Sequence, residues 1–259
     1  MIPYYQIQAF TTDVHGGNPA GVCPLERWLD DALMQRIATE IGLSETAFAV
    51  PRSDGEWQLR WFTPVTEVDL CGHGTLATAH VLLAERGVAA ERLVFHTRSG
   101  ALGVVAAGEG YELDFPARPA APVAAPAGLE AALGAEPVAV GAARDLIVEL
   151  ADEETVRALE PDFAAVARLD TFAVCVTARG GEADFVSRFF VPREGIDEDP
   201  VTGSAHCTLV PWWAAKLGRD ELLAHQVSAR GGVLRCRLAG DRVRLRGEAV
   251  TWLAGELRI

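Results

Sequence analysis

Positive charge is scarce in this chain: 23 Lys and Arg stand against 36 Asp and Glu, a formal net charge of −13 over 259 residues. Nucleic acid and anionic membrane surfaces are held by basic patches, so neither is an expected partner. A small anionic substrate stays open, because the local field of a site can oppose the global sign. No basic-then-apolar segment opens the chain, and no apolar run approaches the roughly 20 residues of a membrane span. A phosphate-binding Gly-x-x-x-x-Gly-Lys loop and a dinucleotide fingerprint are both missing, which removes support for nucleotide or nicotinamide binding. Cys71, His73 and His80 lack the third and fourth ligands of a zinc motif, so neither a metal nor another cofactor is expected. The five cysteines are odd in number and scattered. That pattern fits free thiols in a reducing compartment and a cytoplasmic location.

What the chain does have, it has twice. Arg60-Trp61-Phe62-Thr63-Pro64 followed by Asp69-Leu70-Cys71-Gly72-His73-Gly74 is one copy. Arg188-Phe189-Phe190-Val191-Pro192 followed by Glu198-Asp199-Pro200-Val201-Thr202-Gly203-Ser204-Ala205 is the other. Pro64 and Pro192 lie 128 apart while Gly72 and Gly203 lie 131 apart, so the second copy carries a three-residue insertion. A repeat this long is a duplicated domain; solenoid repeats run to about 20–50 residues.

Four prolines between Pro116 and Pro126 form a stiff, extended seam near the midpoint. The halves are therefore expected at 1–118 and 119–259, the first also capped by the C-terminal segment. Trp57, Leu59 and Trp61 alternate with polar residues as in a half-buried strand. Leu234, Cys236 and Leu238, then Val243 and Leu245, alternate with arginines around Ala239-Gly240-Asp241, the pattern of a hairpin whose arginines face solvent. Residues 31–41 carry Leu33, Met34, Ile37 and Ile41 at helical spacing before Gly42, a stop signal. Residues 75–84 are apolar nearly all round, so that helix must be enclosed, and strands are what remain to enclose it. Its counterpart after Ser204 contains Pro211, expected to kink it or limit its first part. The expected fold is α+β, two pseudo-symmetric, barrel-like strand shells, each around a central helix.

Gly72-His73-Gly74-Thr75 and Gly203-Ser204-Ala205-His206 open those helices, where unpaired N–H groups and the helix dipole make an anion site. The plainer alternative is a pair of tight turns needed for helix packing. Glu45 sits where a polar turn enters an apolar strand, the partly desolvated setting that suits a proton shuttle; otherwise it is a strand-end glutamate facing water. His73 lies between glycines and can donate to a substrate or cap the helix. Asp199 stands before the second turn, where it, like Asp197, also suits turn formation. His80 and His206 read as core histidines, and Cys207 as a packing residue.

These segments resemble the PhzF family of phenazine-biosynthesis-like proteins, related in fold to diaminopimelate epimerase. The resemblance extends to Ala9-Phe10-Thr11, Gly17-Asn18-Pro19-Ala20, Leu43-Ser44-Glu45-Thr46-Ala47-Phe48 and Gln226-Val227-Ser228-Ala229-Arg230-Gly231-Gly232. It implies a homodimer and a cofactor-free isomerase similar to that acting on trans-2,3-dihydro-3-hydroxyanthranilate, with the active site in the cleft between the halves. Glu45 would then take a proton from one carbon and return it at another. His73, Asp199 and Ser204 would orient the substrate, and Asn18, Ser44, Gly72, Gly74, Gly203 and Ala205 would complete its binding site. Gly74 departs from the alanine or proline frequent at that position. Two other functions fit the same residues: an epimerase or racemase using Cys71 with Asp199, and a non-catalytic binder of an anionic metabolite.

Overall fold

The computed structural model describes residues 1–259 and forms two compact units, Met1–Phe115 with Arg246–Ile259, and Pro116–Leu245. The division falls just before residue 118, and the C-terminal strand is counted with the first unit. The class is α+β, short helices set among many strands. No helix is long and apolar enough to cross a membrane.

In the first unit, β1 (Ile2–Ala9) pairs with β2 (Asn18–Pro24) on one side and with the strand Ala249–Leu257 on the other. β2 runs parallel to β3 (Glu45–Pro51), which is antiparallel to β4 (Trp57–Phe62). Alternation along the strands separates two faces. Tyr4, Cys23, Phe48, Val50 and Phe62 turn outward, packing with Met34, Ile37 and Ala38 of α1 (Asp31–Ile41). This helix ends as expected, because Gly42 takes the left-handed φ of 67° and returns its N–H to the Ala38 carbonyl. The opposite face presents Ala20, Val22, Ala47 and Ala49, all fully buried, and against it lies α2 (Gly72–His80). Small side chains at three of these positions let the helix lie close to the sheet. Every residue of α2 from Gly72 to Ala79 is buried, the enclosure that a helix without a polar face requires. Beyond His80 the helix widens into a π turn, Val81–Glu85. There His80 bonds the Tyr111 hydroxyl at 3.0 Å and Thr251 of the C-terminal strand at 2.9 Å.

The second unit repeats the pairing. Leu146–Glu149 runs parallel to Val174–Arg179, itself antiparallel to Phe185–Val191. Thr46 opposes Phe62 in the first unit and Val174 opposes Phe190 in the second, both members displaced by 128. The ion pairs repeat as well. Arg60 grips Glu67 at 2.7 Å and Arg188 grips Glu198 at 2.8 Å. Seven residues separate the first pair and ten the second; the insertion lies at the 3-10 turn Pro192–Glu194. The outward face here is covered by three short helices, which contribute Leu129, Leu133, Val156 and Val166 to a core with Val148, Val176 and Phe190.

Pro211 neither limits nor interrupts the second central helix, which runs unbroken from Gly203 to Leu217. A proline has no N–H to give the carbonyl four residues back, here Cys207. That carbonyl instead accepts the Arg118 backbone N–H at 2.8 Å. The proline-rich seam is thus more than a spacer. Besides this bond, Ala117 donates to Asp241, and Ala121–Pro122 pairs with Gly141 and Ala142. The C-terminal hairpin forms with Leu234, Cys236, Val243 and Leu245 buried and Arg235, Arg237 and Arg246 exposed, whereas Arg242 and Arg244, expected to face solvent, are half-buried. All five cysteines are free and buried.

Arg118→Pro removes the N–H that serves the Cys207 carbonyl, while Arg118→Ala keeps it. In chemical denaturation Arg118→Pro is expected to be less stable than Arg118→Ala by about 1–3 kcal/mol, the cost of a buried unpaired carbonyl. Equal stability of the two variants would show that the bond contributes nothing.

Candidate active site

Cys71 caps α2. Its backbone is extended (φ −136°, ψ 114°), and its sulfur accepts the Gly74 N–H at 3.3 Å. Thr75 and Thr78 return their hydroxyls to the Cys71 and Gly74 carbonyls, at 2.5 and 2.7 Å. The first turn therefore holds its shape without a charged side chain of its own beyond His73. Parallel pairing of β2 with β3 sets Ala20 against Glu45, which brings the strand starts Asn18 and Glu45 to the same end of the sheet. His73 meets both: Nε2 lies 3.1 Å from Glu45 Oε2, and Nδ1 lies 3.1 Å from Asn18 Nδ2. His73 is 2% exposed and the Glu45 side chain 16% exposed, so the pair is nearly dry, with the carboxylate at its open edge. Ser44, buried, directly precedes Glu45. Five of the expected residues, Asn18, Glu45, Gly72, His73 and Gly74, thus gather at one helix start, with Ser44 next to them in the chain.

Burial acts to lower the His73 pKa, but the charges at Cys71 and Glu45 and the hydrogen bonds to both more than offset it, and His73 is held well above the usual imidazole value. Burial, aided by the Glu45 charge, pushes the Cys71 thiol up to about 11. The Asn18 amide can offer its NH2 group to a neutral ring or its oxygen to an imidazolium.

Gly74 has no room for a side chain. A Cβ there would stand 2.8 Å from Trp61 Cδ1 and 2.9 Å from the Cys71 sulfur. The indole of Trp61 takes the space that an alanine or proline would need. Its buried Nε1 has no hydrogen-bond partner. Alternation placed Trp61 on a strand but carried no sign of this contact.

The second unit builds its own helix start. Asp199 ends the strand Ile196–Asp199 and is buried; its Oδ2 accepts the Thr202 hydroxyl at 2.5 Å. Gln226 clamps the turn, accepting from Thr202 N at 2.7 Å and donating to the Asp199 carbonyl at 2.7 Å. The sequence placed Gln226 in a matching segment but assigned it no role. Gly203, Ser204 and Ala205 open the helix and are all buried. His206 Nδ1 bonds the Thr202 carbonyl at 2.8 Å, as Thr75 bonds that of Cys71 in the other copy. His206 is a core residue, as its sequence context suggests, and burial drives its pKa down to about 4 against a smaller upward pull from the Thr202 carbonyl.

The two starts are chemically unequal. In the registers above, Ala173 occupies the position of Glu45, Thr202 that of Cys71, Ser204 that of His73 and Ala205 that of Gly74. Asp199 occupies the position of Val68, since Trp61 opposes Val68 and Phe189 opposes Asp199. The carboxylate–imidazole pair belongs to the first copy alone.

The profile of the family described as phenazine biosynthesis-like protein (PhzC-PhzF) matches residues 7–255. An uncharacterized isomerase of Pseudomonas aeruginosa is 54% identical over 260 residues, spanning 100% of this chain and 99% of that protein. The crystal structure of a phenazine biosynthesis protein of the PhzF family from Enterococcus faecalis is similar with a TM-score of 0.94 at 47% identity, covering 100% of this chain and 99% of the other. A hydroxyproline epimerase from Agrobacterium vitis, 10% identical with a TM-score of 0.68 over 98% of this chain and 91% of its own, shares the fold.

Two outcomes follow from this geometry. Gly74→Ala is expected to destabilise by about 1–3 kcal/mol through overpacking, and Trp61→Phe in the same chain should recover part of that loss. Additive losses in the double variant would place the strain elsewhere. For His206, the unfolded chain takes up a proton below its ordinary pKa near 6.5, which the folded chain refuses down to about 4. Stability from this source is complete above that ordinary value and falls with pH, by about 3 kcal/mol once pH 4 is reached. Denaturation of wild type and His206→Asn from pH 7 to pH 4 should show a shallower decline in the variant; parallel curves would refute it.

Proposed function

The chain belongs to the phenazine biosynthesis-like (PhzC-PhzF) family, and from that premise we propose that it is a cofactor-independent isomerase that moves a proton within a small cyclic or unsaturated carboxylic acid. The observation that carries the reading is the Glu45–His73 pair, 3.1 Å apart at the buried start of α2. Glu45 as carboxylate removes a proton from one carbon, and the electrons of that C–H bond shift the neighbouring double bond. The same carboxyl group, now an acid, delivers the proton to the carbon at the far end of the shifted system. A single group can serve in both directions if bulk water does not exchange its proton in between, and the dry setting of His73 supports this. His73, with Nε2 3.1 Å from Glu45 Oε2, is placed to hold the carboxylate in one orientation. The positive end of the helix dipole at the start of α2 favours an anion, so a substrate carboxylate and the charge that develops on proton removal are both stabilised there.

Asp199, Ser204 and the Gly203 turn enter the proposal through the sequence repeat, as groups that orient the same substrate. A similarity to the isomerisation of trans-2,3-dihydro-3-hydroxyanthranilate makes that acid the first substrate to try. We likewise propose a homodimer, which light scattering measures directly. In a two-base epimerase Cys71 is disfavoured as the base, because burial pushes its thiol up to about 11, and that reading would leave it the acid.

The test is solvent deuterium exchange, read by mass spectrometry and NMR, across a panel of cyclic and unsaturated carboxylic acids. Turnover is expected with double-bond migration and with either internal return or solvent label at the migrating position. Glu45→Gln should lower it by about 10²–10⁴-fold. A Glu45→Gln rate within a few-fold of wild type would remove the assignment. Inversion at one carbon that is lost in Cys71→Ser would favour the epimerase. Binding without exchange would make the protein a metabolite carrier.

A further inference from the structure

The strand Ala249–Leu257 has one edge that the first unit does not use. Its inner edge pairs with β1. Beyond it, residues 252–256 are exposed on both faces of the strand, with Trp252 49% and Leu253 43% exposed. An open edge invites another strand, and proteins that keep one bare blunt it with lysine, proline, inward charge or a bulge. This strand has no lysine or proline, and Glu256 is its one charge. A bulge is present, since Gln6 opposes Leu253 while Ile7 opposes Thr251, which leaves Trp252 as the extra residue. Residues 253–257 beyond the bulge pair regularly and are unprotected. We propose that this edge pairs antiparallel with the same edge of a second copy of the chain, joining two sheets into one about Gly255. The proposal rests on the homodimer inferred above and says where its subunits meet.

Side chains along the edge suit this partner and this register. Two identical edges pair about a two-fold axis, and the regular stretch 253–257 is centred on Gly255. With Gly255 on the axis, Leu253 faces the partner's Leu257, Ala254 faces the partner's Glu256, and Arg258 falls beside the partner's Trp252. Each contact occurs twice. A guanidinium beside an indole is attractive, and no two carboxylates stand directly opposite. Moving the axis to residue 256 would set Glu256 against its own copy, a like-charge pair. Moving it to residue 254 would draw the bulge into the ladder. The net charge of −13 opposes association in general, but along this edge Glu256 and Arg258 balance.

The same face continues the apolar contact. Leu253, Gly255 and Leu257 oppose Gln6, Tyr4 and Ile2, so they share the side on which Ile2, Tyr4 and Leu257 pack with α1. There α1 and residues 257–259 border a groove of about 460 Å3, lined by Leu33, Ile37 and Ile41. A two-fold axis perpendicular to the joined sheet keeps both grooves on one side, flanking the paired leucines.

The experiment is sedimentation velocity of the full chain over a wide range of concentration. A dimer is expected, weakened at least ~100-fold by Leu253→Arg. Val138→Arg, the same kind of change at a valine 63% exposed in the second unit, should leave it intact; circular dichroism and thermal melting check both folds. A Cβ at residue 255 would meet only Leu253 Cδ2, at 3.9 Å, so Gly255→Cys fits. Directly opposed residues of antiparallel strands have Cα atoms about 4.5–5.5 Å apart, within disulfide reach, and the five native cysteines are buried. Diamide, which takes up the two thiol hydrogens, should therefore link Gly255→Cys chains into a covalent dimer that dithiothreitol reverses. A monomeric wild type would overturn both this surface and the homodimer. A dimer unmoved by Leu253→Arg, or Gly255→Cys dimers that do not cross-link, would overturn the surface and leave the homodimer standing. None of these readouts involves a substrate, so the isomerase reading is tested separately.

Discussion

The enclosure of α2 is the constraint on which the rest of the first unit depends. A helix whose first eight residues are all buried and mostly apolar has no stable existence in water, so β1, β2 and β3 must present it with a close, small-residue face. That same closeness removes water from the first turn. A carboxylate and an imidazole placed there lose most of their solvation and face each other across 3.1 Å. Packing and chemistry thus have a single origin. The alanines that admit the helix also bring Glu45 and His73 within reach of each other.

Duplication preserved the scaffold and let the chemistry diverge. The arginine–glutamate clamp, the parallel-then-antiparallel strand order and the glycine at each helix start occur in both units. The polar groups around each start do not. Ala173 has no proton to exchange, and Ser204 cannot hold a carboxylate as an imidazolium can. In exchange Asp199 fills a position where the first unit has Val68, and it is spent partly on Thr202. Two copies of one backbone have become one carboxylate–imidazole pair and one turn stiffened by Gln226.

Much of this was legible in the sequence because it rests on local pattern. The enclosed helix, the stop at Gly42, the C-terminal hairpin and the three-residue insertion all follow from periodicity or spacing. The gathering of Glu45 with His73 was legible only as a resemblance, since nothing in the spacing of residues 45 and 73 places them in contact. What escaped reading depends on partners far apart in the chain. Pro211 reads as a residue that kinks its helix or limits its first part, yet the helix runs on unbroken, and a backbone N–H at residue 118 replaces the missing one. Trp61 reads as an ordinary strand residue, yet it decides that residue 74 must be glycine. The π turn at Val81–Glu85 left no mark in the apolar pattern, and its His80 finds partners at Tyr111 and Thr251.

The strand Ala249–Leu257 gives the order of synthesis a particular weight. It pairs with β1 along its whole length, and Thr251 within it holds the far end of α2 through His80. On the ribosome, therefore, the unit that begins first cannot be finished until the strand Ala249–Leu257 has been translated. The intervening unit has all its strands available earlier and is free to mature while its neighbour waits with one edge open. Loss of that strand alone would leave the strands of the intervening unit present and cost the cell the unit that carries the carboxylate–imidazole pair.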